Sequence, residues 1–216
     1  MSIIVDPYYL RSEISNSDLS ALRNYFNPPS FTIDLSTAYR FGSLVDAMIT
    51  EPDQVDLFNR RVGSVQFEKE EWLKAKDMRD VFFKDAFCKK LASQCQMQKV
   101  SVNPHFVINY SGVDFILPMR AKWDFFAPNI DLSGDLKTTA ATTQSQFEET
   151  ISHYDYDRQA ALYMDLEGKT NFIFIGISKG NNKIFKVPVK KGGDIYNSGK
   201  EKYQKLAFSY YSLFSS

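Results

Sequence analysis

"AKWDFFAPNIDLSGDLKTTAATT", Ala121 to Thr143, carries two short runs of alternating apolar and polar residues on either side of a Pro-Asn turn. That pattern predicts a β-hairpin with Asp124 on its first strand and Asp135 and Lys137 on its second. Residues two apart in a strand share a face, so Asp131, Ser133, Asp135 and Lys137 are expected on one side. Ile130, Leu132, Gly134 and Leu136 fall on the other, and Lys122, Asp124 and Phe126 share a face of the preceding strand. Strands about 4.8 Å apart bring Asp124 and Asp135 within reach of one cation. Carboxylate oxygens without thiolates or imidazoles suit a hard ion such as Mg2+ or Mn2+. Lys137 beside such an ion orients or deprotonates water, or stabilises charge developing on phosphorus. Those residues suit phosphodiester cleavage.

An acid-x-Lys triplet is a weak signal, and the chain holds a second one, Glu167-Gly168-Lys169. That triplet ends a helical stretch with no acidic strand ahead of it, and reads as a charged helix terminus. Context separates the two.

At 216 residues the chain reads as one domain, 1–216, long enough to bury a core. Aromatics at 15%, with 18 Phe and 12 Tyr, argue against disorder. No apolar run approaches the roughly 18 residues of a membrane span, and "MSIIVDPYY" lacks the look of a secretory signal. A cytoplasmic protein is the expectation. Two cysteines, Cys88 and Cys95, exclude a four-thiolate metal or iron–sulfur site and read as reduced thiols in or near a helix. The two histidines, His105 and His153, read as ordinary structural or surface residues. The net charge is zero, but Lys179–Lys205 holds eight lysines against Asp194 and Glu201, a local net of +6. Such a segment is either a solvated face or a phosphate-facing patch.

Helical spacing marks "ISNSDLSALRNYF", then a Pro28-Pro29 turn, then a helix from about Thr37 to Thr50. Ala38, Phe41, Val45 and Met48 form the expected buried stripe of that second helix. A charged helical stretch broken near Lys84-Asp85 follows, and then the period changes to two for a three-stranded meander centred on His105–Lys137. "SQFEETISHYDYDRQAALYMDLE" is helical, "NFIFIGIS" and "KIFKVPV" pair as a hairpin, and a last helix runs from about Asp194 to Phe214. The fold class is therefore α+β (α/β), a central mixed sheet flanked by helices.

Five segments in order resemble the PD-(D/E)XK nuclease superfamily, and within it the RecE-type exonucleases of phages and prophages. "ISNSDLSAL" is similar to that family's opening helix and "FGSLVDAMITEPD" to its GxxxHxxxxxP helix. "MRAKWDFFAPNIDLSGDLKTT" resembles its metal-binding strand pair, "YDYDRQAALY" its YxxQxxxY helix, and "DIYNSGKEKYQKLAFSYY" its Gly-x-x-x-Tyr terminal helix. The resemblance implies a restriction-endonuclease-like core and a Mg2+- or Mn2+-dependent exonuclease. Such an enzyme degrades linear double-stranded DNA from its ends, in the 5′-to-3′ direction, in recombination. It implies metal ligation by Asp124, Asp135 and the Leu136 carbonyl, catalysis by Lys137, and a contact from Gln159 to the site or the scissile phosphate. Tyr156 and Tyr163 flank Gln159 on one helix face and become DNA neighbours, with Lys190 and Lys191 as phosphate contacts in the basic segment. A single-strand annealing protein and a homo-oligomeric ring are the implied partners.

Three features depart from the family pattern, one being that no Pro-Asp pair precedes the site, since Pro118 lies six residues before Asp124. Asp46 stands where relatives carry the helix histidine, a carboxylate still able to bind Mg2+, and Gln96 or Gln98 stands where an acid often opens the strand before the meander. A restriction-like endonuclease and an inactive DNA-binding relative are the alternative readings.

Overall fold

Period-two alternation from Gln96 onward builds two long strands, and everything else packs against the sheet they begin. The structure, a computed structural model, describes residues 6–28 and 36–214. A 3-10 turn, Pro7–Leu10, leads into helices α1 (Asn16–Phe26) and α2 (Ser36–Thr50). Ser15 and Asp18 cap α1 reciprocally, each side chain holding the other's backbone N–H. A small lobe of three two-residue strands follows: β1 (Val55–Asp56), β2 (Arg61–Val62) and β3 (Val65–Gln66). After helices α3 (Lys69–Lys84) and α4 (Ala86–Gln94) come β4 (Gln96–Tyr110), β5 (Val113–Phe126) and β6 (Ser133–Thr139). Helices α5 (Gln144–His153) and α6 (Tyr156–Glu167) lead to β7 (Asn171–Ser178), β8 (Ile184–Lys190) and α7 (Asp194–Phe214).

The main sheet has the order β4-β5-β6-β7-β8, antiparallel except for the parallel pair β6–β7. A parallel pair needs a crossover, which α5 and α6 supply. Strand β7 reads as an unbroken apolar run because it is covered on both faces. Its Phe172 and Phe174 join one core with Trp123, α6 and α7, while Ile173, Ile175 and Ile177 join another with α2, α3 and α4. Three layers result, helices on either side of a mixed sheet, as the sequence pattern implied.

Several local expectations are corrected. Ala38 is exposed, and Leu44 and Ile49 take its place in the buried stripe of α2. Asp131 lies before β6, and accepts a hydrogen bond from the Thr170 N–H at 2.9 Å instead of sharing a face with Asp135. Phe126 turns away from Lys122 and packs edge-on against Trp123, whereas Phe125 stacks on Phe82 in the opposite core. The helix expected through "SQFEETISHYDYDRQAALYMDLE" breaks at Asp155, whose φ is 55°. The Asp155 carboxylate there is held by Arg23 and by Lys202 at 2.9 Å. The meander is longer than His105–Lys137, and the Pro28-Pro29 turn lies partly outside the described residues.

Helix α7 lies on α6 at Gly199, where a Cβ would stand 2.0 Å from the Asp157 carbonyl oxygen. Around that contact Ser198 donates to Asp157 at 2.9 Å, and the hydroxyls of Tyr196 and Tyr203 both donate to Asp165 at 2.6 Å. Gly199→Ala must separate the helices or shift α6, and should cost about 1–3 kcal/mol in urea unfolding. A loss below about 0.5 kcal/mol, the range of a neutral surface change, would show that the two helices do not depend on this close approach.

Candidate metal-binding active site

Strands β5 and β6 pair through only two residue pairs, Phe125↔Gly134 and Phe126↔Ser133. Beyond them the Asp124 side chain takes over the link, its Oδ2 accepting the Leu136 N–H at 2.7 Å. That bond fixes Asp124 against Asp135, which is 4% exposed. Lys137, two residues on along the same face of β6, places its Nζ 2.6 Å from Asp135 Oδ2. The same ammonium donates to Gln159 Oε1 at 3.1 Å and lies 4.7 Å from the centre of the Tyr156 ring. Gln159 closes the triangle by donating from Nε2 to Asp135 Oδ1. The Tyr156–Gln159 face of α6 therefore meets the acid-x-Lys strand.

Asp46 arrives from α2. Its carboxylate accepts from Thr50 Oγ1 at 3.1 Å and from Gln98 Nε2 at 3.2 Å. The same Gln98 nitrogen donates to Thr50 Oγ1 at 2.8 Å and to Asp124 Oδ1 at 3.4 Å. All three aspartates line one cavity of about 670 Å³, together with Gln98, Gln159 and Tyr163. Its described wall carries five carboxylates, those of Asp6, Asp46, Glu51, Asp124 and Asp135, and one lysine, Lys122. Lys122 is already paired with Asp6 at 2.6 Å. Lys137, whose side chain is more exposed than that of its partner Asp135, lies beside the residues that line this cavity.

That imbalance shows in the acids. Burial, then the charge of Asp135, raises Asp46 to about 6. Burial, then Asp135 and Asp46, pushes Asp124 well above the usual carboxylate range. Burial works against the Lys137 ammonium, but the Asp135 and Asp124 charges outweigh it and hold the lysine firmly protonated. Among the described residues no three Asp, Glu, His or Cys side chains form a ready-made cage. The donor set is nonetheless that of a hard divalent cation: buried carboxylate oxygens, short of positive charge, with no sulfur or imidazole among them.

Other expected residues are placed differently. Tyr163 is buried, packing 5.1 Å from the Trp123 ring, so it forms the cavity floor and offers no open ring face. Lys190 and Lys191 are not gathered into the cavity. They sit at the end of β8, the far edge of the sheet, and Lys191 pairs with Asp165 at 3.1 Å. The decoy Lys169 donates to the carbonyls of Ala127 and Ile130, as expected of a helix terminus. Cys88 and Cys95 are free thiols at α4, both raised by burial, and His105 and His153 are exposed. Thr50 and the bonding of Gln98 escaped the sequence reading, since neither type in isolation announces a site. The lobe β1–β3 was also missed; its Val62, with Gln54 just before β1, reaches the cavity, and its tip carries the exposed Leu57 and Phe58.

The fold is similar to that of solved proteins. A candidate exonuclease from Eubacterium rectale superposes with a TM-score of 0.61 at 15% identity, covering 94% of this chain and 84% of its own. A phage-related exonuclease from Haemophilus somnus 129PT gives a TM-score of 0.42 at 13% identity, covering 91% of this chain and 94% of its own. No curated protein matches the chain. The family model for a PDDEXK-like domain of unknown function (DUF3799) matches residues 30–188, and the chain belongs to that family.

Proposed function

We propose that this protein is a metal-dependent deoxyribonuclease that hydrolyses phosphodiester bonds from the ends of linear double-stranded DNA. The observation that carries the reading is the acid-rich cavity with Lys137 and Gln159 locked onto Asp135. A phosphate would be repelled from such a wall unless a cation entered with it, so the charge imbalance itself calls for Mg2+ or Mn2+. Asp124, Asp135 and the Leu136 carbonyl are the proposed ligands, with Asp46 the third carboxylate of the cluster. When bound, the ion supplies Lewis acidity to the phosphate and makes water more acidic.

The remaining work falls to side chains. Lys137 orients the attacking water and opposes the negative charge that develops on the phosphate oxygens. Gln159 holds the Lys137 ammonium through its Oε1 and Asp135 through its Nε2, and so keeps both aligned before DNA arrives. The water oxygen adds to phosphorus as the water gives up one proton to solvent, the bond to the leaving sugar oxygen breaks, and that oxygen takes up one proton from solvent, so none is gained or lost overall. Tyr156 lies beside the ammonium as a DNA neighbour, and the far-edge lysines Lys190 and Lys191 are proposed phosphate contacts outside the cavity. The dependence on ends, the 5′-to-3′ direction, a recombination role, an annealing partner and a ring assembly rest on the RecE-type resemblance. A cytoplasmic setting is part of the same proposal.

Linear duplex DNA should be degraded only with Mg2+ or Mn2+, chelator should stop the reaction, and closed circular duplex should persist. Efficient cutting of closed circles would replace the exonuclease reading with an endonuclease one.

Two substitutions separate the proposed roles. Asp135→Ala should weaken Mn2+ binding and turnover together. Lys137→Ala should bind Mn2+ at least as well as wild type while losing about 10²-fold or more in turnover. Unchanged Mn2+ affinity in the Asp135 variant, measured by calorimetry, would remove Asp135 from the ligand set.

A further inference from the structure

Five non-glycine residues among those described have a positive φ, and four of them sit in turns or breaks: Arg60, Ser111, Asp155 and Asn182. The fifth is Gln98, at φ 52°, inside strand β4. A left-handed residue within a strand is costly for a side chain with a Cβ and persists only where its surroundings hold it there. Here the ladder opens around it. Met97 and Lys99 pair with Phe125 and Trp123, but Gln98 and Asp124, which face each other between them, form no ladder pair. In exchange its amide reaches the acid cluster, and a single nitrogen contacts Asp46, Thr50 and Asp124.

An amide nitrogen has two hydrogens and a partial positive charge but no formal charge. Placed between the carboxylates of Asp46 and Asp124, it stands in the bridging position that a cation shared by those two acids would need. It also leaves the cluster one negative charge short of what a carboxylate at the same point would give. On the Asp124–Asp135 side no single nitrogen spans the two acids: the second oxygen of Asp124 accepts from the Leu136 N–H, while the Asp135 oxygens separately meet Lys137 and Gln159.

We propose that Gln98 is a positioning residue that sets the number of divalent cations, closing the Asp46–Asp124 side so that the site takes one ion on the Asp124–Asp135 side. The inference rests on the metal-dependent reading above and deepens it. Its chemistry predicts that one atom exchange converts the site: Gln98→Glu keeps the side chain's shape, replaces the donor by an acceptor, and adds the missing charge.

The test counts Mn2+ ions bound per chain by titration, with free Mn2+ followed by electron paramagnetic resonance, without DNA and without turnover. Wild type should bind one ion and Gln98→Glu two. Two ions in wild type, or one ion in a folded Gln98→Glu variant, overturns the proposal. Should that variant fail to fold, the wild-type count decides: one ion sustains the inference and two ends it. No Mn2+ bound to wild type at all would bring down the metal-dependent reading itself, a result distinct from the wrong number of ions.

Discussion

The hydrogen bond from the Leu136 N–H to the Asp124 carboxylate, 2.7 Å long, is the constraint on which the rest of the site depends. Two strands leaving a short ladder would ordinarily diverge into solvent. Here a side chain stands in for the missing backbone partner, so β5 and β6 stay close enough to keep two aspartates in one cavity. A hydrogen bond to a charged group contributes roughly 1.5–3 kcal/mol. It offsets part of the penalty of burying Asp124, but leaves the cluster short of positive charge, because Lys137 pairs with Asp135 and Lys122 with Asp6, and among the described residues no ion pair reaches Asp46 or Asp124. An unbalanced acid cluster is a poor stabilising element and a good cation site.

The Gln159 side of the cavity is held from behind. Gln159 follows Arg158, which is 1% exposed and anchors α6 to α1 through Asn16 at 2.9 Å and through Ser20. Asp157, 2% exposed, anchors the same turn of α6 to α7 through Ser198 and through Lys202 at 2.8 Å. Buried charges are retained only when paired, and these pairs act together across three helices. Their consequence is positional: the turn carrying Tyr156 and Gln159 is fixed by contacts on its far side, so the carboxamide meets Lys137 without help from substrate.

What could be read from the sequence was whatever repeats. The alternation through Lys122 and Asp124 and the helical spacing of Gln159 and Tyr163 each recur over several residues, and those side chains line one cavity. What could not be read depends on single contacts between distant segments. The break at Asp155 contains neither proline nor glycine, and arises from Arg23 and Lys202, far away in the chain. The turning of Phe126, which pairs with Gln96, away from its expected face occurs two residues from the distorted Gln98–Asp124 position, and no local pattern marks a glutamine for a left-handed conformation. Strands of two residues, as in β1–β3, are too short to show a period. Tyr163 was placed on the correct helix face, but its burial against Trp123 was a matter of packing depth, which spacing does not report.

Whether Asp124 and Asp135 hold a divalent cation between them is most directly decided by anomalous scattering from crystals soaked in Mn2+. A peak at about 2.1 Å from a carboxylate oxygen of each residue is the expected result. A site saturated with Mn2+ elsewhere on the protein, with none between Asp124 and Asp135, would contradict it.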